Sequence, residues 1–97
     1  MDKLSAQQID VLLGKLSDWK IEGGELVRTF NFKDFRESLA FVNRVGELAE
    51  AAGHHPDIDI RYNRVKLGLV SHDAGGITAR DAEAARRLSA GFDAPAK

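Results

Sequence analysis

Ile9, Leu12, Leu13 and Leu16 recur at i, i+3, i+4 and i+7, the spacing of one helical face. Ser5, with Gln8 three residues on, has the form of a capping box that would start this helix, and Gly14 is a mild flaw within it. Trp19 and Ile21 then alternate with Lys20 and Glu22, Gly23 and Gly24 supply a turn, and Glu25 to Phe32 continues as a second strand. From Lys33 to Ala52 the period returns to that of a helix. Phe35, Leu39, Val42, Val45 and Ala49 trace one stripe, and Phe41, Leu48 and Ala52 widen it; Gly53 stands where a helix-ending glycine belongs. That apolar arc is wider than one contact surface needs, which predicts self-association through this helix or through a sheet edge.

A second hairpin follows. Asp57 to Tyr62 and Val65 to Val70 each alternate polar and apolar residues, and the short linker contains Asn63, a residue that tolerates tight hairpin turns. Two registers are open. A Tyr62-Asn63 turn sets Ile60 opposite Val65, Ile58 opposite Leu67, Asp59 opposite Lys66 and Gly53 opposite His72; an Asn63-Arg64 turn sets Tyr62 opposite Val65 and His55 opposite His72. Both keep Ile58, Ile60, Val65, Leu67 and Leu69 on one face, as burial requires. Gly75 and Gly76 then mark a loop, Thr78 and Asp81 have capping-box spacing, and Ala82, Ala85 and Leu88 give a last helix its apolar side. The tail from Gly91 to Lys97, with Pro95, is expected to fray. The order helix-strand-strand-helix-strand-strand-helix predicts an α+β fold: a four-stranded antiparallel sheet with three helices in a two-layer sandwich.

A chain of 97 residues is expected to form one domain, residues 1–97. Its net charge of −1 offers no basic field, so neither nucleic acid nor a membrane surface is an expected partner. The absence of cysteine removes disulfides, thiolate nucleophiles and cysteine-based zinc sites. With no signal-like start and no long apolar run, the expected location is cytoplasmic.

All three histidines, His54, His55 and His72, fall in one short window. Imidazole gives and takes protons near neutral pH, and either hairpin register gathers the three at its open end, so acid/base chemistry is the leading reading. Three imidazoles could also ligate zinc, but adjacent His54 and His55 point to opposite sides of an extended chain, which makes shared ligation awkward. Asp81 has two readings: a carboxylate capping the last helix, or one orienting His72. Pro56 could simply end the turn into the strand. Phe30, Phe32, Phe35 and Phe41 read as core.

Phe30, Phe32, Phe35 and Phe41, the Glu47 to Glu50 stretch, Gly53-His54-His55-Pro56-Asp57, Tyr62-Asn63, Ser71-His72-Asp73, Gly75-Gly76 and Thr78 with Asp81 together resemble the pterin-4a-carbinolamine dehydratase family. The resemblance runs from about Leu4 to Leu88. It implies a homodimeric or homotetrameric enzyme that needs no metal or cofactor and converts 4a-hydroxytetrahydrobiopterin to quinonoid dihydropterin. It further implies catalytic roles for His54, His55, His72 and Asp81, and substrate contacts from His55, Pro56, Ser71, His72 and Asp73. Two other functions are consistent with it. One is a non-catalytic dimerisation module, as an animal member serves a homeodomain transcription factor; the other is action on a different pterin, such as in molybdopterin metabolism. Many members carry tryptophan two residues after the motif proline. This chain has Ile58, and its place in the alternation suggests packing rather than ligand contact.

Overall fold

The computed structural model describes residues 2–93. It runs α1 (Ala6–Lys15), β1 (Lys20–Glu22), β2 (Glu25–Asn31), α2 (Phe35–Ala52), β3 (Asp57–Arg61), β4 (Arg64–Leu69), a 3-10 turn (His72–Ala74) and α3 (Ala79–Asp93). The strands form one antiparallel sheet in the order β1-β2-β4-β3. Leu26, Phe30, Val65, Leu67 and Leu69 share one face of the two central strands. They bury against Leu12 of α1, Phe41 and Val45 of α2, and Ala82, Ala85 and Leu88 of α3. That is the α+β sandwich the patterning predicts. Among the described residues no helix is long and apolar enough to cross a membrane.

Local signals account for most boundaries. Ser5 and Gln8 make both bonds of the capping box, Gln8 N–H donating to Ser5 Oγ at 3.1 Å and Ser5 N–H to Gln8 Oε1 at 2.8 Å. Gly23 and Gly24 both take positive φ, 58° and 81°, which suits a two-residue hairpin loop, and Glu22 pairs with Glu25 across it. In the second hairpin Ile60 pairs with Val65, Ile58 with Leu67 and Arg61 with Arg64, so the turn is Tyr62-Asn63. The residue in the left-handed region is Tyr62, at φ 50°, rather than Asn63. Asn63 anchors the turn instead, its Nδ2 donating to Phe32 O at 3.2 Å.

Four expectations need correction. Ile58 is 41% exposed, because β3 is an edge strand with a sheet neighbour on one side alone among the described residues. On α2 the inward face is Ser38, Phe41, Val45 and Ala49. Phe35 and Leu39, assigned by periodicity to the buried stripe, are 46% and 45% exposed. A wide apolar arc on a helix has more than one possible buried centre, and the sheet selects the one carrying Phe41. The tail also begins later than expected, since α3 continues past Gly91 to Asp93. Phe92 packs there, its ring centroid 5.0 Å from Phe30 and 5.5 Å from Phe32. The remainder of that tail, 94–97, lies outside the described residues.

Candidate active site

His54 owes its position to the way α2 ends. Gly53 adopts φ 64°, ψ 30°, the left-handed conformation that glycine enters without steric penalty. Gly53 N–H donates to Glu50 O at 3.3 Å and His54 N–H donates to Ala49 O at 3.2 Å. This pair of bonds is a Schellman closure, and it ties His54 to the last turn of the helix. The ring is then almost buried, with 10% of the side chain exposed.

Asp81 receives it. His54 Nε2 lies 2.5 Å from Asp81 Oδ1. The other oxygen, Oδ2, accepts from Thr78 N–H at 2.8 Å and from the Ser71 hydroxyl at 2.9 Å. Ser71, having donated its proton there, accepts from the Thr78 hydroxyl at 2.8 Å, and Thr78 Oγ1 accepts from Arg80 N–H at 3.2 Å. Asp81, Thr78 and Ser71 are all buried. Among the described residues no buried side-chain nitrogen or oxygen lacks a hydrogen-bond partner, as burial demands. A proton on Nε2, given to Asp81, leaves Nδ1 as the basic position of the His54 ring.

The carboxylate therefore does both jobs that the sequence left open. It caps α3 through Thr78 N–H, and it orients a histidine. That histidine is His54 rather than His72. Ser71, expected to touch substrate, is instead held within the network.

The other residues lie nearby in topology but not in one pocket. His55 is exposed, and its Nε2 pairs with Glu50 of α2, also exposed. Pro56 lines a narrow cleft of about 30 Å³ with His54, room for water but not for a bicyclic ring. His72 and Asp73 sit exposed on the 3-10 turn beyond β4. A larger groove of about 320 Å³ is lined by His54 and Ala52 together with Arg80, Glu83 and Arg87 of α3. That volume is at the lower end of small-molecule sites. The two hollows that His54 lines contain neither His55 nor His72. Both motif segments nonetheless leave the same end of the β3–β4 hairpin, where Asp57 pairs with Gly68. Among the described residues no group of three or more His, Cys, Asp or Glu side chains is placed to hold a metal ion.

Several charged groups frame the site without having been singled out in the sequence. Arg80 Nη2 donates to Gly53 O at 3.3 Å, and its Nη1 lies 3.8 Å from Asp73 Oδ2, so this side chain spans the two loops that carry His54 and His72. The hydrogen bond from Arg87, with burial opposing and Arg86 adding, holds the Glu83 carboxyl below the usual carboxylate range. Glu25 of β2 and Asp57 of β3 share a side-chain hydrogen bond on the open face of the sheet. Burial first, then that bond and the charge of Asp57, push Glu25 upward, while His72 and Lys66 pull it down. Gly68 makes the pair possible, since a Cβ there would meet Glu25 Oε1 at 2.0 Å. Periodicity gives no signal for contacts like these, which join elements far apart in the chain.

Residues 2–90 match the family described as Pterin 4 alpha carbinolamine dehydratase. A protein from Thermomicrobium roseum, named "Putative pterin-4-alpha-carbinolamine dehydratase", is 57% identical over 89 residues, 92% of this chain and 96% of that protein. One of the same name from Acidobacterium capsulatum is 52% identical over 90 residues, covering 93% and 98%. Among solved structures, a transcriptional coactivator/pterin dehydratase from Brucella melitensis superposes with a TM-score of 0.88 at 31% identity, covering 94% of this chain and 99% of that one. A pterin dehydratase-like protein described as a RuBisCO assembly factor in the alpha-carboxysome shares the fold, with a TM-score of 0.64 at 22% identity over 79% of this chain and 89% of that one. With near-complete coverage, high identity and a common fold, the chain belongs to the pterin 4 alpha carbinolamine dehydratase family.

Proposed function

We propose that this chain is a cytoplasmic 4a-hydroxytetrahydrobiopterin dehydratase, a single domain that releases water to give quinonoid dihydropterin and so recycles the pterin used by aromatic amino acid hydroxylases. The observation that carries the reading is the 2.5 Å pairing of His54 with a fully buried Asp81, at the edge of a groove large enough for a bicyclic heterocycle. Loss of the C4a hydroxyl needs a proton on the departing oxygen, and the N5 hydrogen must pass to a base. His54, with Nε2 engaged by Asp81, offers Nδ1 as that base. His72 does not line that groove; it sits on the 3-10 turn that Arg80 ties to the His54 loop, and it is the group we assign to protonate the departing hydroxyl. His55, held by Glu50, orients the substrate together with Pro56 and Asp73. The imidazoles act as acid and base themselves, and the scheme routes no step through a metal or cofactor.

A protein-binding role is the second reading. Phe35 and Leu39 on the outer side of α2 support it, and they also support assembly into homodimers or homotetramers. Catalysis needs the histidines, whereas binding through α2 does not. The deciding experiment generates the 4a-carbinolamine in situ and follows its absorbance decay with wild type and with a His54→Ala, His72→Ala double variant. Faster decay with wild type alone is expected; equal decay with both removes the enzyme reading.

A further inference from the structure

We infer that Ser71 and Thr78 are positioning residues that set the state of His54 through Asp81, a role that rests on the acid/base reading of His54. A buried carboxylate has to distribute its charge among the donors it finds, and this one finds three: Thr78 N–H, Ser71 O–H and the His54 ring. The first two converge on Oδ2, which directs Oδ1 at the imidazole. The Ser71 hydroxyl cannot rotate toward substrate, because it gives its proton to Asp81 and receives one from Thr78 at 2.8 Å. At 2% exposure its side chain offers almost no surface to a ligand. What it can change is how strongly Asp81 draws on the His54 proton. Two donors on Oδ2 hold electron density away from Oδ1; with the serine donor removed, Oδ1 becomes the stronger acceptor and pulls harder on Nε2–H.

The charged groups around His54 leave this pull to Asp81. From α3, Arg80 is engaged with Gly53 O and Asp73, and Arg87 is paired with Glu83. From α2, Glu50 is paired with His55. From the 3-10 turn, His72 and Asp73 are exposed to solvent, where their charges are screened. Asp81 is the carboxylate that touches the ring, and the two hydroxyls are the means by which the strand end and the helix start adjust it.

The test uses Ser71→Ala, Ser71→Cys and Thr78→Ser in the full chain. Proton NMR of wild type should show a strongly downfield resonance from the short His54–Asp81 hydrogen bond, absent in His54→Ala. In Ser71→Ala this resonance should move further downfield, and kcat should change by about tenfold while KM stays within about twofold, because the harder pull on Nε2–H alters the basicity of Nδ1 rather than any substrate contact. Thr78→Ser, which keeps the hydroxyl, should preserve both signals. Should Ser71→Ala fail to fold, Ser71→Cys, a weak donor of similar size, should give an intermediate shift. If the resonance and kcat stay at their wild-type values in the serine variant that folds, the inference is wrong. The resonance decides this even if wild type shows no dehydratase turnover, an outcome that would remove the proposed reaction and leave the coupling standing or falling on the spectrum.

Discussion

Replacing Asp81 by asparagine separates helix capping from histidine orientation. Two donors, Thr78 N–H and Ser71 O–H, converge on Oδ2, so the amide oxygen must occupy that place and the amide nitrogen must face His54. The nitrogen is a donor, and so is Nε2–H. The conflict resolves only if the ring changes tautomer, putting its hydrogen on Nδ1 and leaving Nε2 as acceptor. The cap and its packing survive. The stability cost should therefore be about 1 to 2 kcal/mol, the difference between a charged and a neutral hydrogen-bond partner. For a chain of this size that lowers the thermal midpoint by about 5 to 15 °C. Turnover should fall far more, by about a thousandfold or greater, because the basic position has moved to the wrong nitrogen. Asp81→Ala, by contrast, strands three buried donors and should cost about 3 to 5 kcal/mol. Circular dichroism melts and carbinolamine decay, run on the same preparations, make the comparison. An asparagine variant that melts near wild type and turns over within threefold of it would show that Asp81 only caps α3, and the acid/base account of His54 would go with it.

The pH dependence of stability should follow Glu25, whose folded value lies above its usual 4.5. Such a shift stabilises the fold fully below 4.5 and is lost as pH rises through the folded value. Relative to wild type, Glu25→Gln should gain stability across that interval, and a difference in urea unfolding that stays flat with pH would contradict this. Gly53→Ala should cost about 1 to 2 kcal/mol in urea unfolding, because the left-handed conformation penalises a Cβ; no measurable cost would mean that the α2 terminus can rearrange. Leu39→Arg should leave the fold intact but shift sedimentation toward the monomer if α2 carries the assembly surface, and an unchanged oligomer would exclude that helix.

What the sequence displays is local. Gly53, the Ser5-Gln8 box and the alternation of β3 and β4 place their elements because each signal acts within a few residues. The histidine partner is not legible, for the opposite reason. Asp81 lies nine positions from His72 and twenty-seven from His54, yet a turn through Gly75 and the start of α3 return it to the more distant ring. Arg28 shows the same limit. Alternation puts it on the core face of β2, where an arginine breaks the apolar pattern. Only the fold reveals that Ser89 accepts from Nη1 at 2.9 Å and that the guanidinium lies 4.4 Å from the Phe30 ring centroid. Cation–π contact and hydrogen bonding make a buried arginine tolerable, but the Ser89 hydroxyl that accepts from it comes from a helix 61 residues further along the chain.

The junction between α2 and β3 is exposed at Gly53 and His55 and would pass for a loop open to engineering. It is not one. Because His54 is hydrogen-bonded into the helical end, inserting or deleting a single residue upstream, within the final turn, would swing the imidazole around the helix axis by about 100°. The ring would lose its carboxylate while every strand kept its place. Tags, linkers and circular-permutation points belong at the opposite end of the β3–β4 hairpin instead, near the exposed Tyr62, away from the loops that carry His54 and His72.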